Sequence, residues 1–284
     1  MRKTVHIPLN KQDSGAIGGI DIQYFPGSPQ QYDHLAYAHR DDYYIFIILT
    51  SGHVKLLCDM QEIHARSTGM LMVKPLQVHS PPKKAVKASG WFLSVAPFLI
   101  PDHCRSVFRD LTISQQYAEL QEEEKKKITD ILNLLLSTFL ESSSHKSYII
   151  KGLFDAFINR VALQYHLSAG KAVEPPSQAH SLSAGFAELL SANSCVNTPA
   201  FFAKKLNVTT AHLNDCVKAV TGMSLTQSIQ HTMVLEAKRN LYYTNNTIKE
   251  VAYELGFEDH TYFSRLFKKI TGTTPLAFRR QFRE

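Results

Sequence analysis

The chain has 284 residues, 44% hydrophobic and 20% charged, with a net charge of +6 and a pI near 9.0. Those values exclude a disordered chain and leave room for two domains, each with its own core. A mild basic excess suits a polyanionic partner only if it is concentrated somewhere.

The first residues, MRKTVHIPLN, are basic but no apolar stretch follows, so a signal peptide is not predicted. No uncharged apolar run approaches about 18 residues. YYIFIILT is strand length, and ITDILNLLLSTFL is broken by Asp130. The expectation is a soluble cytoplasmic protein with no membrane partner. Four cysteines (Cys58, Cys104, Cys195, Cys216) are scattered without a CxxC pair, which argues for reduced thiols rather than a zinc knuckle or a disulfide framework.

The first hundred residues read as β structure. Short apolar runs at Tyr43–Leu49, His53–Cys58 and Gly69–Val73 are punctuated by Ser51-Gly52, Asp59, Gly69 and Pro75, as hairpins of a sandwich or barrel would be. Two helical patterns follow, at Ile128–Leu140 and Tyr148–His166. In the second, Ile150, Leu153, Phe154, Phe157, Ile158 and Val161 form a wide stripe that suits either the chain's own sheet or a dimer contact. Ser168–Ser181 is rich in Pro, Ser and Ala, and Pro175-Pro176 forbids a continuous helix; it is predicted to be an interdomain linker. The predicted domains are therefore 1–167 and 182–284.

Everything after the linker reads as helix, and it repeats. In GFEDHTYFSRLFKKITG, Phe263, Leu266, Phe267 and Ile270 form one apolar stripe, while Thr261, Ser264, Arg265 and Lys268 share another face. Fifty residues earlier, VTTAHLNDCVKAVTG places Leu213, Cys216, Val217 and Val220 at the same apolar positions. Ala211, Asn214, Asp215 and Lys218 take the polar ones. Both copies end in Thr-Gly, a helix stop. Upstream, Phe202, Ala203 and Leu206 match Val251, Ala252 and Leu255 at an offset of 49, so the second copy has one extra residue in its turn. Thr247-x-x-Glu250 is a capping box, and Thr198-Pro199 is a helix start. Two short helices joined by a tight turn, with a small Ala where they cross, make a helix-turn-helix. Its second helix enters the DNA major groove, so Thr261, Ser264, Arg265 and Lys268 become a reading face, with Arg265 suited to guanine O6 and N7. From Arg265 to Arg283 there are six basic residues and no acidic one, which suits phosphate contact.

The stretch IKEVAYELGFEDHTYFSRLFKKITGTTPLAFRR closely resembles the second helix-turn-helix of AraC/XylS-type transcription regulators, whose pattern IA-x3-GF-x-d-x-s-YFsr-x-FKK-x-x-G-x-tP-x-x-yR it matches almost throughout. Back to about Ser181 the match is looser. The resemblance implies two helix-turn-helix subdomains joined by a long helix, here about Ser224 to Tyr243, that read adjacent major-groove segments. Carried over, the base-facing positions are Ala211, Asn214 and Asp215, with His212 beside them, and His260, Thr261, Ser264 and Arg265. Lys218, Lys268 and Arg279 are implied phosphate contacts. Two departures stand out: Asp215 where an Arg is common, and Met233 where the linking helix usually carries an Arg. They imply that the first copy supplies less electrostatic affinity.

For the N-terminal half the resemblance implies a cupin-like β-barrel that senses a small molecule and helps to dimerise. Gly69-Met70-Leu71-Met72-Val73-Lys74-Pro75 with His79 looks like the G-x-L-x-x-x-P-x-x-x-H segment of such sensors. Candidate effector contacts are His39, Tyr44, Phe46, His79 and Trp91. No clear H-x-H is present, since His34 and His39 are five residues apart, so neither a metal nor a cofactor is expected. The reading is an α+β protein, cupin-like β-barrel with flanking helices plus an all-α tandem helix-turn-helix domain. It would be an effector-responsive, sequence-specific activator, not an enzyme. It would be a homodimer through helix 148–166, with promoter DNA, RNA polymerase (by resemblance) and an unidentified small molecule as partners. The rivals are a metal-dependent cupin enzyme fused to a DNA-binding domain, with metal lost on His79→Ala, and a nucleoid-type binder without sequence preference.

Overall fold

The computed structural model describes residues 6–12, 16–27, 37–67, 69–80, 87–169, 178–192 and 197–283. The chain divides into two compact units, Pro8–Glu174, and Met1–Ile7 with Pro175–Glu284.

The first unit carries strands β1 (Leu9–Asn10), β2 (Ile20–Pro26), β3 (Arg40–Asp41), β4 (Tyr44–Cys58), β5 (Gln61–Arg66), β6 (Gly69–Val73), β7 (His79–Ser80), β8 (Ala88–Val95) and β9 (Tyr117–Glu119). Helix α1 (Asp102–Asp110) precedes β9, and α2 (Glu122–Leu140) and α3 (Lys146–Ala169) follow it. The main sheet runs β2-β8-β4-β6-β9, with β5 and β7 also paired to β4, and β1 pairs with β3 in parallel.

The strands predicted at Tyr43–Leu49 and His53–Cys58 are one. Ser51-Gly52 does not turn the chain; the register against β8 shifts between Leu49 and Ser51 while β4 continues. Gly52 sits at φ +74°, and a Cβ there would lie 2.1 Å from the Lys87 carbonyl oxygen, so glycine is needed within the strand rather than at its end.

Both faces of β4 are buried, which is why its first half reads as a continuous apolar run. Tyr44, Phe46 and Ile48 join the core beneath the helices, while Ile45 and Leu49 face a second core with Leu56, Ile63, Leu71 and Val73. The wide stripe of α3 is spent on the first of these cores: Ile150, Phe154, Phe157, Ile158 and Val161 are buried there, with Tyr165 donating to the Gln116 carbonyl at 2.8 Å. That corrects the stripe as a dimer contact. Each such side chain stabilises the unit by roughly 1.5–3 kcal/mol through burial. Among the described residues no ladder joins β9 to β2, so the sheet is open where a closed barrel was expected. Helices α2 and α3 cover the Tyr44, Phe46 and Ile48 face of the sheet, while the second core is lined by residues of β4, β5, β6 and β8.

The second unit is helical: α4 (Gln178–Ala192), α5 (Pro199–Lys205), α6 (Thr210–Thr221), α7 (Leu225–Tyr243), α8 (Ile248–Glu254), α9 (His260–Thr271) and α10 (Pro275–Arg283). Of the predicted linker, residues 168–169 belong to α3 and 178–181 to α4. Residues 170–177, like Cys195, lie outside the described residues. Cys58, Cys104 and Cys216 are buried. Among the described residues no helix is long and apolar enough to cross a membrane.

Candidate nucleic-acid interface

Local signals build the two copies in parallel. Thr198 caps α5 through the Phe201 N–H, and Thr247 with Glu250 closes a reciprocal box on α8. Each first helix ends in the same turn. Asn207 (φ 55°) and Gly256 (φ 81°) take the left-handed conformation, and the next residue returns its N–H to the small helix residue, Val208 to Ala203 and Phe257 to Ala252, both at 3.0 Å. Asn tolerates this backbone region where most side chains do not. The extra residue of the second turn is Glu258, just before the cap Asp259.

The second helices of the two copies, α6 and α9, then run in register. Leu213, Cys216 and Val217 are buried, as are Phe263, Leu266 and Phe267. Both helices end on a left-handed glycine, Gly222 and Gly272. The repeat goes further than the sequence pattern showed. Thr221 and Thr271 each donate back to the i−4 carbonyl (2.7 and 2.8 Å), and each accepts an N–H from two residues ahead (3.1 and 3.3 Å). In both copies this leads into a third helix, α7 or α10. Ser224 and Gln227 form a capping box on α7 that the sequence reading missed, although the S-x-x-Q signal was present.

The polar positions divide by what they touch. Ala211, His212, Asp215 and Lys218 are exposed on α6, and His260, Thr261, Arg265 and Lys268 on α9. Arg265 and Lys268 make no hydrogen bond or ion pair among the described residues. Asn214 and Ser264 are half-buried. Asn214 Oδ1 accepts from the Leu225 N–H at 3.2 Å, capping α7. Its counterpart has no such duty: α10 starts with Pro275, which has no N–H, and Ser264 Oγ donates to the His260 carbonyl of its own helix at 2.9 Å. Asn214, expected as a base-facing residue, thus also serves as a cap of α7.

Arg279, expected as a phosphate contact, is tied into the scaffold. Its Nε donates to Leu241 O at 3.1 Å and its Nη2 to Asn246 O at 2.6 Å, so the guanidinium holds the end of α7 and the loop after it. Met233 packs partly buried against the core of the first copy.

The charge of the two helices differs sharply. α6 carries Asp215 and Lys218, whereas α9 carries Arg265, Lys268 and Lys269 with no acidic residue. Asp259, the α9 cap, accepts from the Thr261 and Tyr262 N–H groups at 2.7 and 3.3 Å, and those hydrogen bonds, Thr261 first, hold its carboxyl below the usual range.

Residues 202–281 match the family described as a helix-turn-helix domain. An uncharacterized HTH-type transcriptional regulator, YisR of Bacillus subtilis, is 38% identical over 24% of this chain and 24% of its own length. The bifunctional transcriptional activator/DNA repair enzyme AdaA of the same organism is 40% identical over 24% of this chain and 32% of its own. The HTH-type transcriptional activator RhaR of Cronobacter sakazakii is 31% identical over 28% and 29%. The matched stretch thus spans about a quarter to a third of each relative. These likenesses support DNA-binding transcription regulation.

In the N-terminal unit the expected effector residues do not form one site. Tyr44 and Phe46 stack in the core, ring centroids 6.1 Å apart, beside Phe108. Trp91 lines an open cleft of about 880 Å3 between the sheet and α2, with Tyr24, Thr50, Lys125, Thr129 and Asn133. Tyr24 meets Trp91 edge-on at 5.0 Å and stays substantially exposed, a pairing that the register of β2 on β8 creates and that no local pattern announces. His39 and His79 are elsewhere. They face each other across an isolated antiparallel bridge with ring centroids 4.4 Å apart, both buried, and buried Asp41 lies beside them. Sequence spacing argued against a metal here, but potential ligand atoms of His39, Asp41 and His79 all lie within 4.8 Å of one another.

Proposed function

We propose that the protein is a sequence-specific transcription regulator that reads two adjacent major-groove segments with α6 and α9. The observation that carries this reading is the duplicated helix-turn-helix, with the same left-handed turn and glycine stop in both copies but different polar faces. A binder without sequence preference has no use for two unlike reading faces; an asymmetric site has. Arg265, with His260 and Thr261, supplies base contacts, and Lys218 and Lys268 supply phosphate contacts. Ala211, His212 and Asp215 form the weaker face, where Asp215 suits cytosine N4 and repels phosphate.

The N-terminal unit, in this reading, is a cupin-like sensor whose effector occupies the cleft beside Trp91 and Tyr24 and whose occupancy alters DNA binding. The protein acts as a homodimer at promoters and engages RNA polymerase. With the stripe of α3 buried, the apolar surface of α2 and α3 left for a dimer includes Leu134, Leu140, Tyr148, Ile149, Leu163 and Leu167, all exposed.

The test is selection of genomic fragments by the full-length protein across a salt series. The expected result is one asymmetric motif of two blocks about one helical turn apart. Enrichment of no motif at any salt overturns the reading.

A further inference from the structure

The buried group His39–Asp41–His79 has the arrangement of a ligand set rather than of a hydrogen-bonded cluster. Each imidazole has its Nδ1 on a backbone carbonyl, His39 on Tyr37 O at 3.0 Å and His79 on Gln77 O at 3.2 Å. A carbonyl only accepts, so Nδ1 carries a proton, and in the neutral imidazole Nε2 then presents its lone pair. Both Nε2 atoms point to one oxygen: Asp41 Oδ2 is 3.9 Å from His39 Nε2 and 3.2 Å from His79 Nε2. Even so, neither carboxylate oxygen of Asp41 has a hydrogen-bond partner, and the residue is 2% exposed. Three potential ligand atoms therefore converge in the interior, with the Tyr43 hydroxyl as a further neighbour of Asp41, an expensive arrangement for a buried carboxylate.

The backbone holds this convergence in place. His39 and His79 exchange both N–H groups (3.0 and 2.8 Å), and the Asp41 carbonyl accepts from Leu76 N–H at 2.7 Å. Donors on a tetrahedral ion with bonds of about 2.0–2.1 Å stand roughly 3.3 Å apart, close to the spacing seen. Imidazoles whose outer N–H is fixed by a carbonyl are the usual form of metal-ligating histidine.

We infer that His39, Asp41 and His79 bind a divalent first-row transition cation through two Nε2 atoms and the Asp41 carboxylate. Two imidazoles and one carboxylate suit zinc, iron, cobalt or nickel rather than calcium or magnesium. Three protein ligands leave at least one coordination position for water or a small ligand. The cation clamps the segment before β4 to β7. This site lies in the N-terminal unit and goes beyond the DNA-binding reading, which stands or falls separately.

The test is a visible-absorption titration of chelator-stripped full-length protein with Co2+, followed by displacement with Zn2+. Wild type is expected to bind one Co2+ per chain with d–d bands that Zn2+ abolishes, and its melting temperature should rise with Zn2+. Asp41→Asn, which keeps volume and removes the charged ligand, should bind Co2+ at least tenfold more weakly and melt at the same temperature with or without Zn2+. It should also leave the apo protein folded, since it relieves a buried charge; circular dichroism verifies that. Wild type that takes up no Co2+ overturns the inference whatever the variant does, and equal uptake by wild type and folded Asp41→Asn assigns the metal to other histidines and overturns it too.

Discussion

Arg265 is the residue whose removal best separates reading from sticking. It is exposed on α9, on the face shared by Thr261 and Ser264, and makes no hydrogen bond or ion pair among the described residues. Truncation to Ala should therefore change folding stability by no more than about 0.5 kcal/mol, and the whole effect should appear in binding. A bidentate contact to a guanine edge discriminates by about 1–3 kcal/mol, so Arg265→Ala should weaken the selected site roughly 5- to 150-fold and relax preference at one base pair. Lys268 is one turn further along the same helix and is the proposed phosphate contact. Lys268→Ala should weaken all sequences alike and reduce the slope of log K against log salt by about 0.9. Fluorescence anisotropy on the selected site and on a scrambled duplex, at several salt concentrations, measures both. If Arg265→Ala weakens the two duplexes equally, α9 does not read bases through this residue.

Other outcomes follow from the same contacts. Arg279→Ala removes two charge-assisted hydrogen bonds from the end of α7 and should cost roughly 1.5–3 kcal/mol in urea unfolding, while the salt slope of DNA binding stays unchanged; a changed slope with unchanged stability would restore Arg279 as a phosphate contact. Asn214→Ala leaves the Leu225 N–H uncapped and should cost about 1 kcal/mol, whereas Ser264→Ala, facing Pro275, should cost less; equal losses would sink the capping argument. Lys74 is half-buried, with Nζ donating to Arg109 O and Leu111 O at 3.0 and 2.7 Å, and desolvation lowers its pKa to about 8. Between that value and the unfolded value of about 10.4 the unfolded chain holds the proton that the folded one has lost, so stability rises with pH across this window by up to about 1.36 kcal/mol per unit. Subtracting the profile of Lys74→Met should isolate that rise, and a flat difference would refute it.

The sequence was most legible where structure depends on neighbours a few residues away. Thr198, Thr247, Gly222 and Gly272 cap the helices they were expected to cap, because each uses its own side chain or backbone within one turn. The N-terminal unit depends on pairings far apart in the chain. Ser51-Gly52 has the composition of a turn, yet β8 pairs across it and carries β4 straight on. Asp41 stands between Arg40 and Asp42 with nothing local to mark it. Only the bridge between residues 39 and 79 brings the two histidines to it. The helix-turn-helix copies lie between these cases. Their likeness is local, but the difference between Asn214 and Ser264 depends on whether the third helix begins with a residue that owns an N–H. Leu225 does and Pro275 does not, so the first copy spends a reading-face side chain on its own scaffold. With Asp215 beside it, the first copy in the proposed reading contributes shape and exclusion more than attraction, and the electrostatic affinity is assigned to α9 and its three basic residues.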